Sequence, residues 1–203
     1  MLNFLARWGP FPPLTVVLVV VSVLITFLSN VGSSRHVLLP FLISTPGSEL
    51  LADVRAGEVW RLLTPIFIHL SALHLLFNMM WLWDIGRLIE VRRGLLMFGG
   101  FVFAVGIASN LAQYLITASP GFGGMSGVVY GLLGYVWMQA KFNPRSGYVL
   151  HKPIVVMMLV WYVLCWTGLL GPIANWAHTG GLVIGVAWGF LDRGGKTSRA
   201  EHI

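Results

Sequence analysis

Six apolar runs recur along the chain, at about 14–30, 72–90, 94–117, 125–140, 153–170 and 173–191. Each comes close to the roughly 20 residues that a helix needs to cross a bilayer. The pattern predicts an all-α polytopic membrane protein with six transmembrane helices. Between the first two runs lies a longer segment, 31–71, with Pro40, Pro46 and Pro65, three acids and three bases. It is too polar to span and too apolar to be a free linker, so a loop structure lying on the membrane surface is expected. The remaining connections are short, and no repeat or low-complexity tract interrupts the pattern.

Composition narrows the class. The chain has 203 residues, 57% hydrophobic and 10% charged, whereas soluble domains run about 45–50% apolar and about 25% charged. A soluble fold and a disordered chain are excluded on that ground, and the single cysteine, Cys165, excludes a disulfide scaffold. Residues 1–203 are read as one membrane domain. The net charge of +6 comes from bases spread singly beside apolar runs. That spacing suits anionic lipid headgroups as partners rather than nucleic acid, which needs clustered bases. Arg7 precedes the first run, but no A-x-A-type cleavage site follows it, so the run is read as a retained helix.

The bases also set an orientation. With the N-terminus inside, Arg7, Arg87, Arg92, Arg93, Lys141, Arg145, Lys152, Arg193, Lys196 and Arg199 lie on the inner side. Arg35, Arg55 and Arg61 lie outside. This is a strong positive-inside bias. Both termini are then cytoplasmic, the 31–71 loop faces outward, and spans two, four and six all run from outside to inside.

Polar groups inside lipid are costly, and each is a candidate functional residue. Three clusters stand at the outer ends of the parallel, even-numbered spans: His69, His74 and Asn78; Gly123-Gly124-Met125-Ser126-Gly127; and Asn175-Trp176-Ala177-His178. They share one depth. Small-residue stripes at Gly127, Gly131 and Gly134, and at Gly181, Gly185 and Gly189, allow two of these helices to approach closely. Packing one stripe on the other brings His178 toward Ser126. A serine hydroxyl is a weak nucleophile until a base takes its proton, so this pairing points to nucleophilic catalysis. His74 and Asn78 share a helix face and both donate hydrogen bonds, and Ser126 stands at a helix N-terminus. Together they suit an oxyanion.

No third member of a triad is evident. Asp84 and Asp192 lie roughly 15 and 21 Å below the histidines along their helices. Glu49, Asp53 and Glu58 belong to the outer loop, where no motif supports a role. A Ser–His dyad is predicted. The sequence Gly-x-Ser-Gly by itself also fits simple helix packing, and it is not the elbow of soluble hydrolases, because Val128 stands where a glycine would. The five-residue separation of His69 and His74 is expected to put them on different helix faces, which argues against a metal site. No cofactor is expected.

These motifs resemble the rhomboid family of intramembrane serine proteases, in its bacterial form, over about residues 57–192. The matching stretches are Gly57-Glu58-Val59-Trp60-Arg61, HLSALHLLFN from His69 to Asn78, GFGGMSGVVY from Gly121 to Tyr130, and Ala177-His178 with Gly181 and Gly185. The resemblance implies Ser126 as nucleophile and His178 as general base and acid. It implies His74, Asn78 and the Ser126 N–H as the oxyanion site. It places Tyr130 against the catalytic histidine, His69 and Gly124 in supporting roles, and Phe77 and Trp161 at a lateral gate between the second and fifth helices. It also implies transmembrane proteins as substrates, cleaved near the outer face, and a bacterial inner-membrane location. The family's cytosolic N-terminal domain has no counterpart before the first run. The alternatives are a catalytically silent, client-binding relative and a small transporter. Oligomeric state is left open.

Overall fold

A computed structural model describes residues 11–192, and no strand occurs among them. The topology charges Arg7, Arg193, Lys196 and Arg199 lie outside the described residues. Helix α1 (Pro13–Leu28) opens on a proline, whose missing N–H has no partner to lose there. Helix α2 (Ala72–Trp81) continues through a π turn at Leu82–Gly86 into α3 (Arg87–Arg93). The run expected at 72–90 is therefore one rod with a widened turn in it, which apolar periodicity does not report. Gly94, at φ 83°, breaks the rod, and α4 (Leu95–Thr117) follows. Helices α5 (Ser126–Phe142), α6 (Lys152–Trp166) and α7 (Asn175–Leu191) complete the order. Helix α6 stops four residues short of the expected end, because Gly168 enters a left-handed turn at φ 77°.

Among the described residues, α4 is the one helix long and apolar enough to cross a membrane unaided. Helices α1 and α6 are apolar but have 16 and 15 residues. The fold is all-helical. The length of the individual helices does not by itself establish six spans.

Helix α5 lies at the centre, with every residue from Gly127 to Val136 buried. It meets α7 along paired small residues. A Cβ built on Gly181 would come 2.7 Å from the Gly127 carbonyl carbon, and one on Gly185 would come 2.6 Å from the Gly131 Cα. One on Gly189 would come 2.8 Å from the Tyr135 Cα. The contacts advance together along both helices, so these run parallel. Gly134 also lies against α7, where an added Cβ would come 2.9 Å from the Leu182 carbonyl oxygen and 2.9 Å from the Val186 nitrogen. Phe98, Phe101 and Val105 of α4 join the same core, and Val105 reaches Gly131 beside its contact with α7.

The segment 31–71 is built around Arg61, a buried cation. It donates to the Leu39 and Leu42 carbonyls at 2.6 and 3.0 Å and to Glu58 at 2.6 Å. The neighbouring Trp60 Nε1 donates to the Pro40 carbonyl. Asp53 accepts from the Thr45 N–H and hydroxyl, and the backbone hydrogen bond holds its carboxyl below the usual range. Short helical turns alternate with these ties. At the opposite end of the bundle, Asp192 accepts from Arg93 and from the Tyr135 hydroxyl at 2.6 Å each.

Candidate active site

Ser126 is the first residue of α5, and His178 lies one turn into α7. The glycine pairs bring the two helix backbones together at this level. His178 Nε2 stands 2.8 Å from Ser126 Oγ, within hydrogen-bond reach. Tyr130, one turn along α5, lays its ring beside the imidazole with centroids 4.8 Å apart. His178 Nδ1 is buried and has no hydrogen-bond partner among the described residues. The acids that sequence considered are committed elsewhere. Glu49 pairs with Arg55, Glu58 with Arg61, Asp53 with Thr45 and Asp192 with Arg93. Asp84 lies in the π turn of the rod.

The loop before Ser126 is stitched to the 31–71 segment. Gly124 N–H donates to the Pro65 carbonyl at 3.0 Å, and Met125 N–H donates to His69 Nε2 at 3.4 Å. Gly123 packs so tightly on Ile68 that a Cβ would come 2.5 Å from the Ile68 Cβ. Gly124 has φ 131°, and a Cβ there would come 2.6 Å from His74 Cε1 and 3.5 Å from Ser126 Oγ. His74 and the serine hydroxyl therefore border the same small space. Gly124→Ala is expected to cost about 1–3 kcal/mol of stability and to push the His74 ring away from Ser126. Thermal melting combined with a cleavage assay checks both effects.

His69 corrects an expectation. It does not lie on the helix but in the loop before it, which ends at Ser71, the N-cap whose hydroxyl accepts from the His74 N–H. The His69 and His74 rings are 5.0 Å apart rather than on opposed faces. Even so, no group of three or more His, Cys, Asp or Glu that could hold a metal ion occurs among the described residues. Burial pushes the His69 pKa down to about 3. A lowered histidine pKa favours the neutral form in the folded state. Its contribution is complete above the unfolded value near 6.5 and is lost as pH falls toward 3. Wild type is expected to lose about 2 kcal/mol at this one site between pH 7.5 and 5. His69→Gln keeps an acceptor for Met125 and should lose less, as measured by melting at the two pH values.

His74 and Asn78 occupy successive turns of α2, and Asn78 Nδ2 donates to the His74 carbonyl at 2.8 Å, leaving its second N–H. Ser126 N–H, at the start of its helix, has no acceptor within the helix. These groups can converge on an anion beside Ser126. Phe77 and Trp161 are about half exposed, and their rings touch across α2 and α6 with centroids 5.9 Å apart.

The Rhomboid domain family matches residues 56–194, which include every one of these side chains. The chain belongs to the rhomboid family. It is similar to the protein named Rhomboid protease GlpG of Salmonella paratyphi A (strain ATCC 9150 / SARB42), with 41% identity over 138 residues. The match covers 66% of this chain and 49% of that protein. The protein of the same name from Salmonella newport (strain SL254) matches over the same shares at the same identity. The chain thus spans about half the length of the curated relatives it matches.

In this rhomboid chain three polar residues that sequence reasoning passed over also tie the helices together. Gln113 of α4 accepts from the Trp176 and Ala177 N–H groups at 3.1 and 3.3 Å, and so caps the helix that carries His178. Glu90 of α3 accepts from the Leu14 and Thr15 N–H groups at 2.7 Å each and caps α1 from outside. Asn110 donates to the Leu62 carbonyl and ties α4 to the outer segment. The signal available was the same one used for Ser126: a polar residue inside an apolar run.

Proposed function

We propose that this chain is an intramembrane serine endopeptidase, a hydrolase that cleaves transmembrane proteins with a Ser126–His178 dyad. The 2.8 Å approach of His178 Nε2 to Ser126 Oγ carries the reading. As Ser126 Oγ attacks a scissile carbonyl, His178 takes its proton. The Ser126 N–H, His74 and Asn78 hold the developing oxyanion. His178 then protonates the leaving amine, and an acyl-enzyme remains. Water attacks the ester with His178 again as base, which frees the acid and restores Ser126.

The membrane setting follows from the outward faces. Val20, Leu24 and Phe27 on α1, and Val156, Val160 and Val163 on α6, are large, apolar and 48–79% exposed in a fold whose core is already filled. Lipid satisfies such faces and water does not. On this reading six helical segments cross the bilayer, with the π-containing rod counted as one, and the chain forms a single bundle domain. The positive-inside bias supports an orientation with Ser126 near the outer face and both termini cytoplasmic, and the family resemblance supports a bacterial inner membrane. A substrate helix must unwind locally to expose its carbonyl, so segments with helix-destabilising residues near their outer end are favoured. Phe77 and Trp161, which meet at a thin seam, form its lateral entrance.

A client-binding relative without activity fits less well, because both Ser126 and His178 are present and hydrogen-bonded. A transporter would place its polar groups at mid-membrane. Purified protein in detergent should cleave a fluorescent single-span substrate within its membrane segment. An intact substrate after prolonged incubation would refute the proposal.

A further inference from the structure

His178 is oriented by little. Its Nδ1 has no partner among the described residues, and the ring is held by its reacting hydrogen bond to Ser126 and by the face of Tyr130. Whatever fixes Tyr130 therefore fixes the base. Both outer contacts of the Tyr130 ring come from α6. Its hydroxyl donates to the Met158 carbonyl at 3.3 Å, and its ring meets the edge of Tyr162 with centroids 5.7 Å apart at 73°.

Tyr162 is itself anchored beside His178. Its hydroxyl lies 2.7 Å from Thr179 Oγ1, on the residue that follows the histidine. The donor can be assigned by counting. Thr179 Oγ1 has one proton, which it donates to the Asn175 carbonyl at 3.0 Å. Tyr162 must then donate to Thr179. The result is a closed circuit: His178 against Tyr130, Tyr130 against Tyr162, and Tyr162 bonded to Thr179, which is covalently joined to His178.

The circuit crosses from α6 to α7. Among the described residues, Asn175 Nδ2 also crosses, donating to the Cys165 carbonyl at 3.1 Å. Met158, Tyr162 and Cys165 sit at i, i+4 and i+7, so one stripe of α6 makes all of these contacts. We infer that Tyr162 and Thr179 are positioning residues that set the angle of the His178 ring through Tyr130, and so make base strength at Ser126 depend on how α6 is seated. The inference rests on the dyad proposed above.

The test reads activation of Ser126 without a protein substrate. The second-order rate of fluorophosphonate labelling is measured on detergent-solubilised protein, with the adduct mapped. Tyr162→Phe keeps the ring and removes the proton, and Thr179→Val removes the acceptor. Each is expected to slow labelling about three- to tenfold, the range that an interhelical hydrogen bond in lipid supports. The double variant should be no slower than the worse single, because both break one bond. Thr179→Ser restores the hydroxyl and should label within about twofold of wild type, which a merely structural loss of the threonine would not predict. Unchanged labelling in both single variants, or a double variant slowed by the product of the two, would overturn the coupling alone. Wild-type protein that does not label on Ser126 would overturn the dyad and the coupling with it.

Discussion

Alanine at Ser126 is expected to lower cleavage of a single-span substrate by about a thousandfold or more, to the level of a blank. His178→Ala should do nearly the same. The hydroxyl and the imidazole act as one unit through their 2.8 Å contact, so removing either removes the nucleophile as such. The double variant should then be no worse than either single. The folds should survive. Ser126 begins its helix, where alanine is tolerated, and among the described residues His178 has one side-chain hydrogen bond to lose. Initial rates by fluorescence, with melting temperatures as the control for folding, check both parts. A Ser126→Ala protein that cleaves at the wild-type rate contradicts the assignment.

The second large effect concerns the contact that creates the pair. Gly185→Leu is expected to abolish the folded bundle, and Gly185→Ala to cost about 3 kcal/mol. The added Cβ would meet backbone atoms of Gly131, which cannot rotate away as a side chain can. Relief requires α5 and α7 to separate, which also draws His178 from Ser126. Activity should therefore fall more than stability suggests. The same substitution at Gly100 makes the contrast. That glycine lies within α4 with nothing within 4 Å of the built Cβ. Gly100→Ala should raise stability by about 0.5–1 kcal/mol, because alanine is the better helix former. Melting of the three variants in one detergent gives the comparison.

Much of this site is legible from residue types alone. Ser126 and His178 stand out because a polar group inside an apolar run has few cheap explanations, and the glycine stripes say which helices touch. The parallel direction follows from chain order and charge. The individual helix ends are less legible. Gly168 ends α6 early through its left-handed turn, which an apolar run cannot announce. The π turn at Leu82–Gly86 leaves the composition of the run unchanged, so only its register is altered.

Long-range polar ties are the least legible. His69 looks like a helix residue in sequence, yet its role comes from meeting Met125 across the fold. Arg61 counts in sequence as one of three bases of the outer loop, but two carbonyls more than fifteen residues away make it the hub of that segment. Tyr162 reads as one more aromatic in an apolar run. In each case the partner is distant in sequence and its identity is a backbone carbonyl, an N–H or a hydroxyl, none of which leaves a pattern.

The most direct measurement is the site of covalent labelling. The intact protein is treated with a fluorophosphonate in detergent, digested and mapped by mass spectrometry, with His178→Ala in parallel. An activated serine dyad predicts a single adduct on Ser126 in wild type and little or none in His178→Ala. An adduct on a different residue, or equal labelling of Ser126 without His178, would contradict it.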